Sequence, residues 1–109
     1  MLARRERRKE AGVDEATVRQ HAEAHGAAVV RGDLRAAGGD LEGDALAQAA
    51  DVMKQLPREL DGAEVETIEL GDDVAEVRTR YFGEGRSEVV TSQWEGREGR
   101  PKITSMRVA

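Results

Sequence analysis

Residues 74–90 read "VAEVRTRYFGEGRSEVV". Apolar and polar side chains alternate through the first nine positions. Ala75, Val77, Thr79 and Tyr81 fall on one face of an extended chain, and Glu76, Arg78 and Arg80 on the other. A period of two marks a strand with one covered face. "GEGR" then supplies a tight turn, and the alternation resumes. Two strands joined by so short a turn must be antiparallel, because a parallel pair needs a long crossover.

The same grain extends on both sides. "AEVETIEL" (63–70) reads as a preceding strand that turns at "GDD". "SEVVTSQWE" (87–95) puts Val90, Ser92 and Trp94 on one face and Val89, Thr91 and Gln93 on the other. "GREGR" turns again before "PKITSMRV" (101–108). Four strands in a meander are expected. The outward Arg78 and Arg80 are expected to pair across strands with Glu69, Glu88 or Gln93.

Before Pro57 the period is helical. "VDEATVRQHAEAHGAAVVRGD" (13–33) carries Val18, Ala22, His25 and Val29 on one stripe. Asp14 suits its N-cap, Glu15 the positive end of the helix dipole, and Gly32 its stop. Asp33 can cap a short turn carrying Leu34, which Gly38-Gly39 breaks. Asp44 can cap a second helix, "ALAQAADVMKQL", with Leu46, Ala49, Ala50, Met53 and Leu56 as its apolar stripe, ended by Pro57. Helices first and strands after predict an α+β domain, with N-terminal helices packed on one face of a curved antiparallel sheet.

Composition bounds the rest. At 109 residues, one domain is expected, spanning 13–109 behind a basic extension at 1–12. Residues 1–10 hold five basic and two acidic groups, a net of +3, leaving −8 for the rest of a chain whose total is −5. An acidic body is a poor partner for nucleic acid or an anionic membrane. No apolar run suits a signal peptide or a membrane span, so a cytoplasmic protein is expected. Tyr81, Phe82 and Trp94 are the only aromatics of the Phe, Tyr and Trp type. A core built chiefly from Ala, Val, Leu and Ile is thin, and homodimerisation would supplement it. With no cysteine, disulfides, thiolate metal sites and cysteine nucleophiles are excluded.

His21 and His25 are the only histidines, four apart on the first helix. Two such residues can ligate zinc, as in H-E-x-x-H, but here Glu23 is displaced by one position and no third ligand is marked by spacing. No metal and no cofactor are expected. His21 falls at the edge of the apolar stripe, and His25 near its centre. His25 is therefore either a core-edge residue with a satisfied ring or a ligand-facing acid/base. Asp33, Asp40 and Asp44 could orient it, yet each is explained as a cap or turn residue. Trp94 is either core, a pocket wall or a dimer anchor. The glycine-containing turns "GEGRSE" and "GREGRPK" do not lead from a strand into a helix, so neither is a phosphate loop. No nucleophile-elbow motif supports a hydrolase triad.

Three stretches together resemble the nuclear transport factor 2-like superfamily, over roughly residues 14–108. The long first helix runs into "AVVRGDLRAA", a second helix ends in "LPREL", and the final run is "VAEVRTRYFGEGRSEVVTSQWEGREGRPKITSMRV". In that run a Trp stands near the end of the penultimate strand, and "GRPKI" enters the last. The resemblance implies a short bacterial member with a cone-shaped, cystatin-like fold and a small-molecule pocket between the first helix and the sheet. His25, Tyr81 and Trp94 would line it. A ligand-binding or dimerising interaction module is then expected. The alternative is an isomerase, dehydratase or cyclase with His25 as acid/base.

Overall fold

The computed structural model describes residues 14–108; the basic extension at 1–12 lies outside them. Three helices, α1 (Glu15–Val30), α2 (Leu34–Gly38) and α3 (Asp44–Gln55), precede four strands, β1 (Gly62–Leu70), β2 (Val74–Gly83), β3 (Arg86–Arg97) and β4 (Arg100–Val108). The strands form one antiparallel sheet in the order β1-β2-β3-β4. The α+β meander expected from the alternation is the observed fold.

Local chemistry explains each boundary. The Asp14 carboxylate accepts the Thr17 N–H and so caps α1. At the other end Gly32 adopts φ +76°. Its N–H donates to the Val29 carbonyl and that of Asp33 to the Ala28 carbonyl, which is a Schellman ending. The Asp33 side chain caps α2 through the Ala36 N–H. One cap differs from expectation. Asp44 is the first residue of α3, and Gly43, at φ +59° with no side chain to cap with, stands before it. Asp44 stabilises that end only as a charge in the first turn. Leu56 turns extended ahead of Pro57, as a residue before proline prefers. Glu84-Gly85 and Glu98-Gly99 make the two tight hairpins, with positive φ at all four residues. That is the type I′ pattern whose twist matches the strands.

The inner sheet face carries Ala75, Val77, Tyr81, Val90, Trp94, Ile103 and Met106, all buried. Val18, Ala22, Ala28 and Val29 come down on it from α1. α1 lies chiefly along β1, and α3 chiefly along β4. Close approach on the α1 side depends on Gly26, where an added Cβ would lie 3.1 Å from the Ala63 Cβ.

The buried face of α3 is a correction to the expected stripe. Ala45, Val52 and Leu56 are the buried positions, whereas Leu46 and Met53 remain 61% and 40% exposed. The helix is rotated so that Gln48 can reach the sheet, its Oε1 accepting the Met106 N–H at 2.7 Å. That edge-strand donor would otherwise lack a partner from the protein.

On the outer sheet face, Arg80 pairs with Glu66 and donates to Ser87, rather than with the partners expected. A bulge between Val65 and Thr67 gives β1 an additional residue there, Glu66, and aims it at Arg80. Arg78 and Arg107 both stand opposite Thr91, and Glu69 stands opposite Glu76. None of these four charges forms an ion pair among the described residues.

Candidate functional site

Between α1, α2, α3 and the inner sheet face lies a cavity of about 250 Å³. His25 and Tyr81, two of the three residues expected to form a site, both border it. Trp94 is not among the bordering residues. It lies behind His25, with ring centres 6.0 Å apart and planes at 88°. At 1% exposure it is core, so it is not a surface anchor for a dimer. Its indole N–H is satisfied by the Ser92 hydroxyl at 2.9 Å, and that hydroxyl lies 3.4 Å from the Val77 carbonyl. The T-shaped packing of the two rings holds the imidazole from one side.

Asp40 holds it from another. Its Oδ2 lies 3.0 Å from His25 Nδ1, and its Oδ1 is bound by the Arg100 guanidinium. Both His25 and Asp40 are largely buried, with side chains 11% and 14% exposed. Burial works to raise the Asp40 carboxyl. The hydrogen bond and charge of His25, joined by the charge and hydrogen bond of Arg100, outweigh it. The carboxyl is held below the ordinary aspartate value.

In the sequence Asp40 is one of three aspartates that could orient His25, and is explained there as a turn residue after Gly38-Gly39. What makes it more is the anchoring of its backbone. The Ile103 N–H donates to the Asp40 carbonyl at 2.7 Å, the Glu42 N–H donates to the Ile103 carbonyl at 2.8 Å, and Lys102 Nζ donates to the Gly39 carbonyl at 2.7 Å. Leu41 thereby forms a parallel bridge with Ile103. The α2–α3 loop is pinned to the start of β4, 60 residues away from Asp40 at Arg100. Arg97 adds a second tie, bonding both Glu42 and Glu95. No spacing in the sequence marks such a pair.

The chemical consequence concerns one proton. A carboxylate at Nδ1 favours a hydrogen on Nδ1 and leaves Nε2 with its lone pair. Nε2 makes no hydrogen bond among the described residues. Tyr81 and Thr79, two positions apart on β2, also border the cavity, and their hydroxyls also lack such partners among the described residues. Burial raises the Tyr81 phenol far above its usual value, so it is a neutral donor across the physiological range.

His21 is half-buried and takes no part in this cluster. Among the described residues no group of three or more His, Asp or Glu side chains could hold a metal ion. No helix there is long and apolar enough to cross a membrane.

No family model, curated protein or solved structure matches this chain. Its site has to be read from its own geometry.

Proposed function

We propose that this chain is a small-molecule-binding domain of the nuclear transport factor 2-like type, with its ligand held in the cavity beneath α3. The supporting observation is the combination of an apolar cavity with a ring whose Nδ1 is already committed to Asp40. A concave, mostly apolar site with a few placed polar groups is the usual form of a ligand pocket. The family resemblance is consistent with the helix layer preceding a four-stranded meander, but fold alone carries no activity. Ligand-observed NMR with a set of small organic fragments tests this. Fragments should bind the natural chain and not Ala49→Phe, which fills the cavity from α3. Failure of every fragment to distinguish the two proteins would sink the proposal.

The Asp40–His25 pair supports a second reading, an isomerase, dehydratase or cyclase. A base needs its second nitrogen oriented, and the carboxylate does that. Its test is deuterium uptake from heavy water at the carbon next to the carbonyl of a bound ketone. His25→Ala should abolish uptake, and equal uptake in both proteins rules the reading out.

Homodimerisation belongs to the same proposal, through the outer sheet face and not through Trp94. A basic row, Arg78 and Arg107, adjoins an acidic row, Glu69 and Glu76. A two-fold axis would set each row on the other's opposite. Sedimentation should then show a dimer that Arg78→Glu weakens. A natural chain that is monomeric throughout the accessible concentration range contradicts it.

A further inference from the structure

The cavity can be read more narrowly. Of the described residues bordering it, only His25 and Tyr81 are ionisable, and the phenol stays protonated. Among the described residues, no Asp, Glu, Lys or Arg side chain borders it. Asp40 and Arg100, the charges behind the ring, are committed to each other, and the second Asp40 oxygen to Nδ1. With the ring neutral, an ionised ligand would therefore leave water for a place with no counter-charge of its own, a cost of several kcal/mol per ion. A neutral polar group faces no such cost. Its partners would come from the neutral His25 ring and the hydroxyl-bearing Tyr81 and Thr79, which offer both donors and acceptors.

The remaining wall is aliphatic. Val29, Leu41, Val52, Leu56, Val90 and Met106 surround the space. Leu34 and Met53 also border it, yet are 62% and 40% exposed, so the cavity meets solvent between two apolar side chains. At about 250 Å³ it lies just under the size of sites for drug-like ligands.

Building on the ligand-binding reading, we infer that the cavity takes a small, neutral, chiefly aliphatic molecule with a single hydroxyl or carbonyl head. The head lies against His25, and the hydrocarbon part runs toward the Leu34–Met53 opening. The polar head satisfies groups that the fold leaves without partners, and the chain covers the aliphatic wall.

Four probes test this at a pH where the His25 ring is neutral: 1-octanol, octanoate, octylammonium and benzyl alcohol. Binding is followed by fluorescence of Trp94, the single tryptophan, which touches the His25 ring. Only the component lost in Ala49→Phe counts, with Ala50→Leu as the filled variant if the first does not fold. 1-Octanol should bind about tenfold or more tightly than either ion, as an unpaired buried charge requires. It should also bind more tightly than benzyl alcohol. A smaller margin over octanoate or octylammonium overturns the neutral class, and tighter benzyl alcohol overturns the aliphatic one. Either result leaves the ligand-binding reading standing. If no probe binds in a manner that the filled variants abolish, this inference falls, and the fragment screen then decides whether the wider reading falls with it.

Discussion

The same sheet face is covered in two different ways. Under α1 the helix lies close on the sheet: Val18 and Ala22 are buried to 0% and 3%, Gly26 brings the helix backbone close to Ala63, and the remaining space is a groove along β1 bordered by charged Glu23, Arg31 and Glu64. Under α3 the sheet face is held open: only Ala45, Val52 and Leu56 are buried among the apolar residues of its length and cap, while Leu46 is exposed and Met53 borders the cavity half-exposed. The two helices have comparable alanine-rich sequences. What separates them is where the small residues fall. On α1, Ala22 and Gly26 sit between helix and strand and draw the two together. On α3, Ala49 and Ala50 border the cavity and leave it unfilled. Small side chains thus bring helix and strand together on one side, beside a groove with charged residues at its border, and leave a chiefly apolar cavity on the other. His25, on α1 but facing the open half, joins the two.

The largest test of this contrast is Trp94→Ala. Trp94 backs the core and the imidazole together, and its loss should cost about 3–5 kcal/mol in denaturant unfolding. A loss under about 1 kcal/mol would mean that the core is not organised around it. Gly26→Val comes next. Its side chain would press on Ala63, with an expected loss of about 1–3 kcal/mol from overpacking. Unchanged stability would show that the α1 side has room after all.

Asp40→Asn acts through pH. The folded carboxyl is held below its unfolded value, so its contribution is present above about pH 4 and fades as pH falls through the folded value. The folded state binds fewer protons there than the unfolded state, and stability rises with pH. Melting temperature in the natural chain should therefore fall on acidification below about pH 4, more steeply than in Asp40→Asn. Parallel curves would remove Asp40 from the account of the site. The smallest effect belongs to Leu46→Gln, on the exposed face of α3, which should stay within about ±0.5 kcal/mol. A large loss would mean that α3 buries that face against something else.

The sheet was the most legible part of the molecule. Alternation at 74–82 and tight glycine turns leave an antiparallel meander little room to be anything else, and all four strands lie within a few residues of their expected positions. His25 and Tyr81 were legible as inward-facing because each sits on a strong apolar period. The orientation of α3 was less so. Its many alanines fit several stripes almost equally, and the choice is made by Gln48 on the Met106 N–H, a tertiary contact. Asp40 was legible only as one of three aspartates that could orient His25, and Arg100 was not legible as a site residue. One sits in a turn and the other follows a hairpin tip, and backbone bonds between the α2–α3 loop and β4 bring them together. Long-range pairing of this kind leaves no periodic trace.

The most direct test of the site is the protonation pattern of the His25 ring, read by nitrogen-15 NMR in the natural chain and in Asp40→Asn. At a pH where the ring is neutral, the hydrogen should reside on Nδ1, facing the carboxylate, with Nε2 as a bare acceptor toward the cavity. Asp40→Asn should release that preference. A neutral ring with its hydrogen mainly on Nε2, or a pattern indifferent to the substitution, would contradict an Asp40-oriented His25.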